Sequence, residues 1–121
     1  MNITTKSVNY EAPEAAMRRA REKFGAVERF LGEEAPTALL EIELGKATEH
    51  RKSGDIYEAE ANLTSGGKLH RAVRDADTIE KAIDAAASDL VRSVRSERGR
   101  ARRMLRGAGA RMKSLLRFGR L

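Results

Sequence analysis

The side chains best equipped for chemistry in this chain are its arginines and lysines, and the chemistry they offer is phosphate binding. Residues 92–121 hold eleven of the 24 Lys and Arg against a single acid, Glu97, a balance of +10. Residues 1–91 hold thirteen bases against seventeen acids, a balance of −4, so the formal net charge of +6 conceals an acidic-leaning body and a strongly basic terminus. Arg92, Arg95, Arg98, Arg102 and Arg103 recur at helical spacing. Such a stripe can follow a sugar-phosphate backbone, releasing a condensed counterion at each contact. A face kept basic for solubility alone usually interleaves acids, and here only Glu97 intervenes.

Three further basic groups are candidates. His50-Arg51-Lys52 lies in the polar stretch 46–54 beside Gly54 and reads as a phosphate-contacting finger, although composition alone describes a solvated loop equally well. Lys68, His70 and Arg74 alternate onto one face of a short run, with Leu69, Arg71 and Val73 on the other. One of those faces must be less buried than its composition suggests. Lys23 stands with Arg18, Arg21 and Arg29 on a helical segment that also carries Glu14, Glu22 and Glu28, where ion pairs one turn apart are an alternative use for the charge.

Other chemistries find little support. Glu41 and Glu43, like Glu58 and Glu60, sit two apart on a strand face and invite an acid/base reading. They lack an apolar surround and a His or Ser partner, so no enzyme is expected and no small-molecule substrate. Gly66-Gly67 reads as a hairpin turn rather than a phosphate loop. His50 and His70 have no third ligand at metal-binding spacing, and no metal or cofactor is expected. The chain has no Cys, which excludes disulfides and thiolate chemistry and fits a reducing compartment. No apolar run approaches the roughly 18–20 residues of a membrane span, and the N-terminus lacks the apolar core of a signal peptide. A soluble cytoplasmic protein without a membrane partner is the expectation. With no Trp, two Tyr and three Phe, the chain is poor material for stacking bases, so a nucleic acid would be gripped mainly by phosphates and shape.

The positioning elements follow from periodicity. A β-branched run predicts a strand over 2–7. Pro13 suits a helix's first turn, and Ala16, Met17, Ala20, Phe24, Val27, Phe30 and Leu31 form one apolar stripe, predicting a helix over 13–31 capped by Gly32. A connection ending at Pro36 leads to a strand over 37–45, with Ala38, Leu40, Ile42 and Leu44 inward. Residues 55–64 alternate, with Tyr57, Ala59, Ala61 and Leu63 inward; Ser65-Gly66-Gly67 turns the chain into a strand over 68–74. Asp77, with Glu80 three residues on, predicts an N-cap for a helix from about 78 to 105. Gly107-Ala108-Gly109-Ala110 breaks its pattern, and the segment beyond is compatible with a short amphipathic helix or with disorder. The order β-α-β-β-β-α predicts an α+β fold, a four-stranded sheet with two helices on one face, and a basic C-terminal tail.

The basic loop leading into GDIYEAEANL, the KLHRAV return strand and the DADTIEKAIDAAASDLVRSVR helix, in this order of elements, resemble the hibernation-promoting factor family, also called ribosome-associated inhibitors. The match covers roughly residues 1–98, giving a ribosome-binding domain 1–98 and a basic extension 99–121. The resemblance implies a fold like that of double-stranded-RNA-binding domains. It implies binding to the small ribosomal subunit between head and body, across the messenger RNA path and the tRNA sites, so that translation stops and idle ribosomes are preserved. It strengthens the RNA-contact reading of His50, Arg51 and Lys52, and of Lys23, which falls in the family's Lys-Phe pair. Longer relatives carry a C-terminal domain that pairs ribosomes; the 23 residues after Arg98 are too few and too basic for it. A general RNA-binding module without ribosome specificity is the alternative. A membrane-surface protein with Met112–Leu121 on anionic lipid is a third reading, of another class.

Overall fold

The computed structural model describes the backbone of residues 1–47 and 54–117 and the side chains of 1–47 and 54–100. The chain runs β1 (Asn2–Val8), α1 (Glu14–Gly25), two 3₁₀ segments (Ala26–Phe30 and Gly32–Thr37), β2 (Leu39–Lys46), β3 (Tyr57–Ser65), β4 (Lys68–Ala76) and α2 (Ile79–Arg117). The four strands form one sheet in the order β1-β2-β3-β4. β1 lies parallel to β2, a pairing that needs a crossover, and α1 supplies it. β2, β3 and β4 form an antiparallel meander. The expected α+β architecture holds.

One face of the sheet is the core. Leu40, Ile42, Leu44, Ala59, Ala61, Leu63 and Ala72 are buried under Ala16, Ala20 and Phe24 of α1 and Ile79, Ala82, Ile83, Ala86, Leu90 and Val94 of α2. The register places Ile42, Ala61 and Ala72 in one row across three strands. These alanines, facing the alanines of α2, let helix and sheet approach closely, while Phe24 and the leucines fill the wider space beside them. The opposite face is open to solvent.

Four local expectations are corrected. The first helix is α-helical only to Gly25; its stripe continues through a 3₁₀ segment that still buries Val27, with Leu31 buried at its end. Glycine is a weak helix former, and tightening to 3₁₀ is a common way for a helix to end. Gly32 then takes φ 61, with the Arg98 guanidinium where a Cβ would point. Residues Gly32–Thr37 form a second 3₁₀ segment rather than a plain connection, held by Thr37 Oγ1 donating to the Glu34 carbonyl at 3.2 Å. Thr78, not Asp77, caps α2: its Oγ1 accepts the Lys81 N–H at 3.2 Å, because β4 runs on to Ala76 and the helix starts at Ile79. Asp77 instead pairs with Lys81 Nζ at 3.1 Å. Finally, α2 passes through Gly107–Ala110 and continues to Arg117. Two glycines cost about 1 kcal/mol each against alanine, a penalty that neighbouring good helix formers can offset.

Candidate nucleic-acid interface

Between α1 and α2 lies an open groove of about 760 Å³, lined by Lys23 on one side and by Asp84, Ala87, Ser88, Val91, Arg92, Arg95 and Ser96 on the other. The two helices bring residues some seventy positions apart onto one surface. The acid in the groove is already neutralised: Arg19 donates to both Asp84 oxygens, at 3.0 and 2.6 Å. That hydrogen bonding holds the Asp84 carboxyl below the usual carboxylate range. Lys23 and Arg95 have no carboxylate within ion-pair distance among the described residues. Arg95 lies over the Phe30 ring, 5.4 Å from its centroid, which fixes the guanidinium without spending its charge. Arg92 reaches Asp89 at 3.2 Å but stays largely in solvent. Two serine hydroxyls beside three cations, with an apolar floor, suit an anionic oxygen.

The second predicted cluster is built differently. Lys68, His70 and Arg74 do share a face of β4, and it is the helix-covered one, with buried Ala72 between them. β4 is the sheet edge beside α2, so each side chain reaches the helix. Lys68 pairs with Glu97, His70 Nδ1 lies 2.9 Å from Ser93 Oγ, and Arg74 Nε donates to Asp89 at 2.6 Å. Hydrogen bonds from Lys68 and Arg74 hold Glu97 and Asp89 below the ordinary carboxylate range. The less buried face is the other one, where Leu69 is 65% exposed and Arg71 pairs with Glu60.

The remaining candidates spread along and beyond α2. Arg98 folds over Gly32 at the start of the second 3₁₀ segment. Arg102 and Arg103 lie on the same continuous helix, their side chains outside the described residues. His50, Arg51 and Lys52 also lie outside the described residues. The structure therefore gathers Lys23, Arg92 and Arg95, and sets Lys68, His70 and Arg74 apart along the β4–α2 seam. Sequence reasoning missed Ser88, Ser96 and the Arg19–Asp84 pair.

The open sheet face is acidic. Glu43 stands opposite Glu60, and Glu58 opposite Asp75. Partial burial and the neighbouring Asp75 push the Glu58 carboxyl up. Lys6 and Arg71 offset part of this charge, through pairs with Glu43 and Glu60. No group of three or more metal-ligating side chains occurs among the described residues, and no helix of the described chain is long and apolar enough to cross a membrane. The molecule is thus two-sided, with cations on the helix side and carboxylates on the sheet side.

This fold has known counterparts. The N-terminal domain of Thermus thermophilus Protein Y superposes with a TM-score of 0.63 at 23% identity, covering 78% of this chain and 96% of that one. A ribosomal subunit interface protein from Coxiella burnetii gives a TM-score of 0.64 at 14% identity, over 82% of this chain and 99% of that one. A search of curated proteins finds no match. The model of the Sigma 54 modulation protein / S30EA ribosomal protein family matches residues 2–102. By that match the chain belongs to the Sigma 54 modulation protein / S30EA ribosomal protein family, to which the resemblance in its sequence pointed.

Proposed function

We propose that this ribosome-associated protein is a hibernation factor that binds the small ribosomal subunit in the cytoplasm and stops translation by occupying the messenger RNA and tRNA channel. The observation that carries the reading is the α1–α2 groove, where Lys23, Arg92 and Arg95 converge and Asp84, the acid that lines it, is already neutralised by Arg19. Ribosomal RNA phosphates are the ligand this chemistry fits. The 39-residue α2 helix carries the basic stripe from Arg92 through Arg102 and Arg103, about 17 Å of track at 1.5 Å per residue. The acidic sheet face repels RNA, so the protein has one permitted orientation against an RNA wall. Residues 1–98 supply the wedge and 99–121 a basic extension. Action is by occupancy: the protein competes with messenger RNA and tRNA by mass action, and no bond is made or broken.

The test is co-sedimentation with purified small subunits, followed by a purified translation reaction. The expected result is stoichiometric pelleting that weakens steeply with salt, inhibition of translation, and poor competition by free duplex RNA. Equal affinity for any duplex would instead favour a general RNA-binding module, and undisturbed translation at excess protein would end the proposal.

A further inference from the structure

The composition argues against base stacking, yet the fold places two of its few aromatics together. Tyr10 and Tyr57, 47 positions apart, meet edge to face with ring centroids 5.3 Å apart. Both remain partly accessible. Asn9, in the left-handed region at φ 53, turns the chain out of β1 and delivers Tyr10 to this corner. The turn is braced by the Ala12 N–H donating to Ser7 Oγ at 3.4 Å. Lys46 completes the group: its Nζ lies 5.7 Å from the Tyr57 ring centroid and 3.1 Å from an Asp55 oxygen. The other described aromatics are committed elsewhere. Phe24 is fully buried, and Phe30 carries Arg29 at 4.8 Å and Arg95 at 5.4 Å from its centroid.

We propose that Tyr10, seated on Tyr57 and flanked by Lys46, stacks a nucleobase of single-stranded RNA. The inference rests on the RNA-binding reading above and adds a contact of a different kind. The groove holds phosphates, which carry no information about strandedness, whereas a stacking tyrosine needs a base that is unpaired or splayed out. Burial, with Tyr57 and Glu80 nearby, pushes the Tyr10 hydroxyl up, so the ring is a neutral phenol at physiological pH. Lys46, held beside the Tyr57 ring by its pair with Asp55, shapes the corner and leaves the contact to the base.

The chain has no Trp and two Tyr, both at this corner, so tyrosine emission reports on it alone. Titrating the full chain at low salt with a short single-stranded RNA should quench that emission, and inorganic polyphosphate should not. Tyr10→Leu keeps an apolar side chain on Tyr57 but removes the π-face. It should weaken the RNA complex about tenfold while leaving the slope of log affinity against log salt unchanged. Tyr10→Phe should bind as the parent does. Equal quenching by polyphosphate, parental affinity in Tyr10→Leu, or no binding of the oligonucleotide would each overturn the stacking site. The ribosome reading fails separately, through lack of pelleting with small subunits. A thermal melt of each variant establishes that the fold is kept.

Discussion

The α1–α2 groove and the β4–α2 seam carry similar basic residues on opposite flanks of one helix, and they put them to different uses. In the groove, the acid is answered by Arg19, which leaves Lys23 and Arg95 without a carboxylate partner among the described residues. In the seam, Glu97 and Asp89 answer Lys68 and Arg74 directly. A cation in a pair must break that pair before it meets a phosphate, and an exposed pair contributes little to stability. Basic composition therefore does not locate a nucleic-acid contact; the balance of partners in three dimensions does. The seam fastens the edge strand to the helix, and the groove is where positive charge is left over.

The sharpest way to break this comparison is to remove charge from each side in turn. Lys23→Ala combined with Arg95→Ala should lower affinity for small subunits about a hundredfold and reduce the salt slope by about two, as expected for two charge-assisted phosphate contacts. Lys68→Ala combined with Arg74→Ala removes the same formal charge and should leave affinity within about threefold of the parent. Sedimentation across a salt series measures both. Similar losses from the two pairs would erase the distinction.

The converse experiment has a smaller expected effect. Asp89 accepts from both Arg74 and Arg92. Asp89→Asn keeps the side-chain shape and releases both guanidinium groups. Affinity for small subunits should rise about two- to fivefold at low salt, the scale of an exposed pair, and the gain should fade as salt is added. No gain would mean that Arg92 and Arg74 point away from the RNA.

Much of the fold was legible from periodicity. The alternation in residues 57–65 and the stripe from Ile79 to Val94 dictate which faces are buried, and the structure buries those faces. The charge asymmetry was equally plain. What could not be read was pairing. Lys68, His70 and Arg74 look identical in type and spacing whether a strand edge is open or lies beside a helix bearing Asp89, Ser93 and Glu97. Likewise, Asp84 looks like a liability for RNA binding until α1 brings Arg19 against it. These contacts span from 15 to 65 positions, beyond any local pattern. Gly107 and Gly109 misled in the other direction, because a break signal of about 1 kcal/mol per glycine does not by itself end a helix.

Acid titration separates the helix side from the sheet face, because their carboxylates shift in opposite directions. Asp84, Asp89 and Glu97 have depressed values in the folded state, first through the hydrogen bonds from Arg19, Arg74 and Lys68. Their contribution to stability is fully present above the ordinary carboxylate values and disappears as pH falls through the lowered folded ones. The melting temperature should therefore drop between pH 5 and pH 3, less so in Asp89→Asn.

Glu58 runs the other way, and its expected effect is the smallest. Its folded value is raised, first by burial and then by Asp75 opposite it, so ionisation costs more in the folded state than in the unfolded chain. The folded state is favoured while Glu58 stays protonated, and that advantage is lost as pH rises through the raised value. At pH 7 the ionised side chain is a net burden, modest because the group is mostly in solvent. Glu58→Gln should raise the melting temperature slightly at pH 7 and leave it unchanged at pH 3, where both side chains are neutral. The sheet face is held away from RNA on the reading above, so small-subunit affinity should stay within about twofold of the parent. A substantial gain in affinity from this substitution would place the carboxylate face against the RNA and reverse the proposed orientation of the protein.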